Sequence, residues 1–157
     1  MPKKTLCIFI ISLALAVNFS ASHAENLLVT AEQAGSFKIF LGAIKAAGLT
    51  QQLNEMGPYT IFAPDDHAFS TLPDGEWESI SKNKIRLTRL LNYHIIKGKV
   101  KITEVKPGKI ASLEGSHLRL KSDNGLVTVN GASVTQSDLI ADNGVIHAID
   151  EVLMPPD

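Results

Sequence analysis

The chain has 157 residues, of which 20% are charged, and its 15 Lys or Arg and 16 Asp or Glu give a formal net charge of −1. Non-specific binding to nucleic acid needs a basic surface that releases counterions, so this charge balance excludes it. Cys7 is the single cysteine, which excludes disulfides and cysteine metal sites from the rest of the chain.

The first 24 residues have the layout of a signal peptide. Lys3 and Lys4 precede an uncharged apolar run over residues 6–17, and small residues follow at 22–24. The run is shorter than the ~20 residues that a membrane-spanning helix needs, although an uncleaved N-terminal anchor is the alternative. We predict cleavage after Ala24 and a secreted or periplasmic mature chain. Residues 25–157 would then carry 13 basic and 16 acidic residues and no segment that spans a membrane.

Helical periodicity opens the remaining chain. Apolar residues at helical spacing over residues 36–47 predict an amphipathic helix, with Ser36 as its N-cap and Gly48 as its C-terminal stop. A short second helix is predicted over residues 49–54. Residues 25–157 as a whole have the length of one domain, about 130 residues, and without disulfides this domain must be stable through its own core.

A buried strand is predicted next, over residues 59–63, and Pro64 ends it. Asp65 and Asp66 follow where acidic side chains cap the start of a helix. Residues 82–92 place apolar side chains among Lys and Arg, which predicts another helix with one wet and one dry face.

Short β-type runs separated by Asn-Gly turns fill the second half. These predicted strands cover residues 93–96, 117–121, 126–129, 132–136 and 145–149. Because helices come first and strands later, the predicted class is α+β around a single core, and not an alternating parallel α/β fold.

Three segments resemble the fasciclin I domain family. Residues 57–69 (GPYTIFAPDDHAF) resemble its first conserved box, residues 143–156 resemble its second, and residues 91–98 are similar to its central Tyr-His segment. The resemblance covers nearly all of residues 25–157 and implies a compact wedge of β-strands flanked by helices, in one domain. It also implies adhesion or matrix binding outside the cell. The box residues expected to build the structure are Phe62, Ala63, Pro64, Asp65, Phe69, Asn143, Gly144, His147 and Asp150.

No pattern predicts catalysis, a metal or a cofactor. The cluster of Asp65, Asp66 and His67 could hold a divalent cation, but helix capping explains two acids after a proline better. His147 lies in an apolar run, where a hydrogen-bonded core histidine is more common than a ligand. The four histidines at positions 67, 94, 117 and 147 do not have metal-site spacing, and no serine nucleophile motif is present.

Two groups are candidates for binding. Tyr93 and His94 form the Tyr-His pair, which in animal members of the family is associated with integrin-dependent adhesion; on a strand, one side chain would face the core and the other would be nearer solvent. A structural role for both is the alternative. Lys84, Arg86 and Arg89 form a basic helix face that could meet acidic polysaccharide or lipid headgroups, or could simply be solvated.

The sequence therefore predicts a secreted, non-enzymatic binding or cell-adhesion module. Its expected partner is an extracellular protein or polysaccharide, and its expected state is a monomer or weak homo-oligomer. Two alternatives stay open. One is a hydrolase of envelope polymers that uses Asp65, Asp66 or His94, and the other is a purely structural protein whose boxes only build the core.

Overall fold

The structure is a computed structural model that describes residues 25–55 and 57–157. The predicted signal peptide lies outside the described residues. In the described part, none of the helices has the length and apolar character needed to cross a membrane.

Helices dominate the first half, as the apolar periodicity predicts. They are α1 (Leu27–Ala34), α2 (Lys38–Ala47), α3 (Thr50–Glu55), α4 (Asp66–Ser70), α5 (Glu76–Lys82) and α6 (Lys84–Tyr93), followed by a 3-10 turn at Ile102–Glu104.

The strands form one mixed sheet of seven members. They are β1 (Tyr59–Pro64), β2 (Ile95–Lys97), β3 (Gly108–Ala111), β4 (His117–Asp123), β5 (Leu126–Val129), β6 (Ala132–Ala141) and β7 (Gly144–Ile149). Their order across the sheet is β2-β1-β7-β6-β5-β4-β3. Only β1 and β7 pair in parallel, and the other neighbours are antiparallel. The α+β class in a single domain is therefore confirmed.

Strands β1 and β7 are buried along their whole length. Alternate residues of a strand point to opposite faces, and here both faces are covered. Ile61 and Ile146 belong to the core shared with the helices, whereas Phe62 and Ile149 belong to a second core beneath β4 and β5. Side chains that project from this part of the sheet are therefore structural.

Two local predictions are wrong. Helix α6 continues to Tyr93 and His94 is its C-cap, so the strand begins at Ile95 and not at residue 93. The backbone N–H of His94 still bonds to a carbonyl of the helix, that of Leu91, and this bond holds the pair in the last helical turn.

The N-cap of α2 is Phe37 and not Ser36, and its side chain makes no capping hydrogen bond. Asp66 replaces such a cap from a distance, because its Oδ1 accepts a hydrogen bond from the N–H of Ile39 at 2.8 Å. Helices α1 and α5 and strand β3 had no predicted counterpart, and β6 runs to Ala141 through two irregularities in register.

Candidate functional site

His94 is fully buried at the junction of α6 with the C-terminal segment. Its Nδ1 lies 2.8 Å from the carbonyl oxygen of Leu90, and its Nε2 accepts a hydrogen bond from the N–H of Leu153 at 3.0 Å. These partners require a proton on Nδ1 and none on Nε2. Burial lowers the pKa of His94 from 6.5 to about 4, so the ring is neutral at pH 7. Its polar atoms are used within the fold.

Tyr93 is also buried, with 4% of its surface exposed, so the pair does not divide between core and solvent. Its hydroxyl donates to the carbonyl oxygen of His117 at 3.3 Å and accepts from Nδ2 of Asn130 at 2.8 Å. A buried hydroxyl needs such partners, because an unpaired one carries a desolvation penalty. Tyr93 thus ties α6 to β4 and to the turn after β5.

The first box supplies helix caps. Asp65 is the N-cap of α4, and its Oδ1 accepts from the N–H of Ala68 at 2.7 Å. Asp66 caps α2 as described above, which leaves His67 exposed beside them. Within residues 25–55 and 57–157, no group of three or more His, Cys, Asp or Glu side chains is arranged to hold a metal ion. Asp65 and Asp66 therefore act as helix caps, as the capping interpretation predicts.

The apolar members of the first box lie in the interior. Phe62, Ala63 and Pro64 are buried on β1. Phe69 of α4 is buried against Trp77, with the two rings edge-on and their centroids 4.6 Å apart.

The second box joins the start of β7 to distant parts of the chain. Oδ1 of Asn143 accepts from the N–H of Leu27 at 2.8 Å, and its Nδ2 donates to the carbonyl of Leu53 at 2.6 Å. Gly144 follows with a φ of 158°, and a Cβ at this position would lie 1.9 Å from the carbonyl oxygen of Tyr59. Only glycine permits β1 and β7 to approach so closely here.

His147 and Asp150 stabilise the other side of β7. His147 is fully buried; its Nδ1 accepts from the N–H of Asp138 at 3.1 Å, and its Nε2 lies 2.8 Å from the carbonyl oxygen of Val100. Burial lowers the pKa of His147, which keeps the ring neutral. Oδ1 of Asp150 accepts from the N–H of Ser133 at 2.8 Å. The backbone thus engages both ring nitrogens of His147 and Oδ1 of Asp150.

Both arginines of the binding surface predicted on α6 are paired with acids. Nη2 of Arg86 lies 3.3 Å from a carboxylate oxygen of Glu76, and Nε of Arg89 lies 2.8 Å from one of Glu114. Arg89 also donates to the carbonyl of Pro156. Hydrogen bonds from Ser116, and next from Arg89, hold the pKa of Glu114 far below its usual value, at about 2. Pairing removes much of the attraction that two free arginines would have for a polyanion.

An open groove of about 600 Å³ lies along this same side of α6. Lys84 and Glu114 both line it, and Lys84 is in no ion pair with a described residue. Ile85, also in the lining, is 82% exposed. Oδ1 of Asn92 is buried there with no hydrogen-bond partner among the described residues. We call this site, formed by Lys84, Ile85, Thr88, Arg89, Asn92, Leu113 and Glu114, the α6 groove.

Sequence reasoning missed the part of the groove that comes from outside α6. Leu113 and Glu114 lie in the loop between β3 and β4, more than 20 positions away along the chain. Ile85 is one of the apolar residues of the helix predicted over residues 82–92, although its place between Lys84 and Arg86 is a signal of exposure.

These features define a compact α+β domain whose box residues hold the framework together and whose grooves lie on its surface. The fasciclin domain model matches residues 35–155. The chain belongs to the fasciclin domain family.

Relatives and a solved structure agree with this assignment. The chain is 39% identical over 145 residues to protein sll1483 of Synechocystis, an alignment that covers 91% of this chain and 81% of that protein. It is 42% identical over 123 residues to transforming growth factor-beta-induced protein ig-h3 of Sus scrofa, covering 76% of this chain but 18% of the relative.

A solved FAS1 domain pair from the insect cell adhesion molecule fasciclin I has the same fold. It superposes with a TM-score of 0.64 at 19% sequence identity and covers 83% of this chain and 51% of that one.

Proposed function

We propose that this protein is an exported, non-enzymatic binding module that supports adhesion, and that the α6 groove is its contact with an extracellular protein. One observation carries the proposal: Ile85 lines the groove with an apolar side chain that is 82% exposed. Export is supported by the signal-peptide pattern of residues 1–24.

The exposed Ile85 is more stable in a complex that covers it than in the free domain. An isoleucine left in water loses about 1.5–3 kcal/mol relative to a buried one, so a partner that covers Ile85 gains this term. A protein surface offers the apolar side chains that would cover Ile85.

The charges at the groove also favour a protein over a polyanion. Lys84 and Glu114 have opposite signs, and Arg89 is paired with Glu114 at 2.8 Å. A groove of mixed charge attracts a surface that carries both signs, whereas a polyanion would meet the carboxylate.

A protein with the same fold, fasciclin I, is named as an insect cell adhesion molecule, which is consistent with a role in adhesion.

The hydrolase alternative has less support. Asp65 and Asp66 accept backbone hydrogen bonds as caps, and His94 is fully buried with both ring nitrogens engaged. Burial of Tyr93 and His94 supports a framework role for the pair, so the proposed contact lies on α6.

The test is attachment of cells of the source organism after deletion of the gene. Wild-type protein supplied back should restore attachment, and Ile85→Ser should weaken it about tenfold in the protein concentration required, from the lost burial of one isoleucine. Ile140→Ser is the matched control, because Ile140 is 48% exposed on β6 outside the groove.

Equal secretion of the three proteins is verified first. Attachment that is unchanged by deletion of the gene refutes the adhesion role. Attachment that Ile85→Ser and Ile140→Ser support equally well refutes the α6 groove as the contact.

A further inference from the structure

A second surface, on strands β3 and β4, carries positive charge that is in no ion pair with a described residue. Strand β4 alternates between exposed and buried residues, so that His117, Arg119 and Lys121 face solvent while Leu118 and Leu120 are buried in the second core. Lys109 of β3 pairs in register with Arg119 and is also exposed. We call Lys109, His117, Arg119 and Lys121 the basic face.

The cations of the basic face stand close together. Residues two apart on a strand are about 7 Å apart, and Cβ atoms directly opposite on an antiparallel pair are about 5 Å apart. Like charges at opposite positions destabilise a sheet. Lys109 and Arg119 occupy such a pair, which is a cost in the free domain that a bound anion would remove.

In contrast to α6, the described acids form no ion pair with these cations. Among residues 25–55 and 57–157, no ion pair includes Lys109, Arg119 or Lys121. Asp123 is the acid on the same side of β4; it lies beyond Lys121 at the hairpin end, opposite Leu126. The basic face therefore retains its positive potential although the whole chain has a net charge of −1.

The basic face lines an open groove of about 560 Å³ that Asn130 and Gly131 complete. Asn130 links this groove to α6. The Oδ1 of Asn130 accepts from the N–H of Arg119 at 2.7 Å, and the Nδ2 donates to the hydroxyl of Tyr93 at 2.8 Å. The hydroxyl of Tyr93 donates in turn to the carbonyl oxygen of His117. The strand that carries the cations is thus braced from the core, so a ligand would meet a site that is already ordered.

We infer that the basic face binds an anionic polysaccharide. Arg119 and Lys121 along β4, with Lys109 opposite Arg119, give spaced positive charges that suit a linear polymer with repeated negative groups, and the planar guanidinium of Arg119 can hold two oxygens of one such group. The groove lining contains no large apolar side chain that could enter a lipid bilayer. This contact is separate from the α6 groove and does not depend on it.

The test measures binding of the purified protein to alginate, dextran sulfate, neutral dextran and vesicles that contain an anionic lipid. Alginate or dextran sulfate should bind, and binding should weaken as salt rises from 0.01 to 0.15 M, because the Debye length falls from about 30 to about 8 Å. Arg119→Gln should weaken binding about fivefold, and Arg119→Gln with Lys121→Gln by more than tenfold.

Lys38→Gln is the matched control, since Lys38 is an exposed cation on α2, and it should bind as the wild type does. Thermal unfolding confirms that each variant is folded. Equal binding of neutral dextran, binding of the vesicles without either anionic polymer, or unchanged affinity in the double variant overturns the inference. Ile85→Ser should retain polymer binding, so failure here and failure of the α6 groove are distinguishable.

Discussion

The burial of His94 predicts that the fold loses stability in mild acid. In the folded chain its pKa is lowered from 6.5 to about 4 by burial, and the backbone carbonyl of Leu90 only partly opposes this shift. The unfolded chain binds a proton near pH 6.5, whereas the folded chain resists protonation until about pH 4. The contribution of a neutral His94 is therefore complete above pH 6.5 and is lost as pH falls toward 4.

The size of the effect follows from the shift. A change from 6.5 to about 4 corresponds to about 3 kcal/mol once both states are protonated, at about 1.4 kcal/mol per pKa unit. At pH 5 the loss should be about 2 kcal/mol, since the folded ring is still neutral there. His147 adds to the same trend, because burial lowers its pKa too.

The assay is urea unfolding of the wild type and His94→Gln at pH 7.5, 6.0 and 5.0. Glutamine keeps an amide donor and acceptor but does not titrate, so the variant should be less stable at pH 7.5 and lose less stability on acidification. Subtracting the two curves removes His147 and the carboxylates, including Glu114, whose depressed pKa acts only below about pH 4.5. Parallel curves for the two proteins would refute the reasoning.

Two more predictions test the framework. Gly144→Ala should lower the free energy of unfolding by more than about 3 kcal/mol, because the new Cβ would lie 1.9 Å from the carbonyl oxygen of Tyr59. The control is Gly42→Ala in the middle of α2, where a Cβ meets open space, and it should be neutral or stabilise by up to about 1 kcal/mol. Urea unfolding measures both. Tyr93→Phe should lower the free energy of unfolding by about 1 kcal/mol, because the hydrogen bond with Asn130 is lost, and should leave cell attachment unchanged. A loss of attachment without a loss of stability would instead make Tyr93 a contact residue.

Local signals predicted the parts of the fold that adjacent residues decide. The Asn124-Gly125 and Asn130-Gly131 turns are present between β4, β5 and β6, and both asparagines adopt a positive φ, of 49° and 51°. Asp65 caps α4 as its place after a proline predicted. These features need only a few neighbouring residues, so periodicity and turn chemistry suffice to find them.

Features that depend on distant residues were not predictable in the same way. Parallel pairing of β1 with β7 joins residues 85 positions apart, and Glu114 reaches Arg89 from a loop 25 positions away. The sequence shows a basic stretch on α6 but not the acids that neutralise it. It shows alternation on β4 but not that Lys109 lies opposite Arg119. Charge patches are therefore properties of the folded surface and not of sequence runs.

Several residues that mark the family are engaged by the fold itself. His94, Asn143 and His147 direct polar atoms into the fold, and each of these side chains, like Oδ1 of Asp65, accepts or donates a backbone hydrogen bond. Such residues fix the framework, and the framework is compatible with many partners. Specificity must then come from exposed residues, of which Ile85 and Arg119 are the strongest candidates. Two members of the family with the same boxes can differ in ligand, because the buried box residues hold the surface in place without forming it.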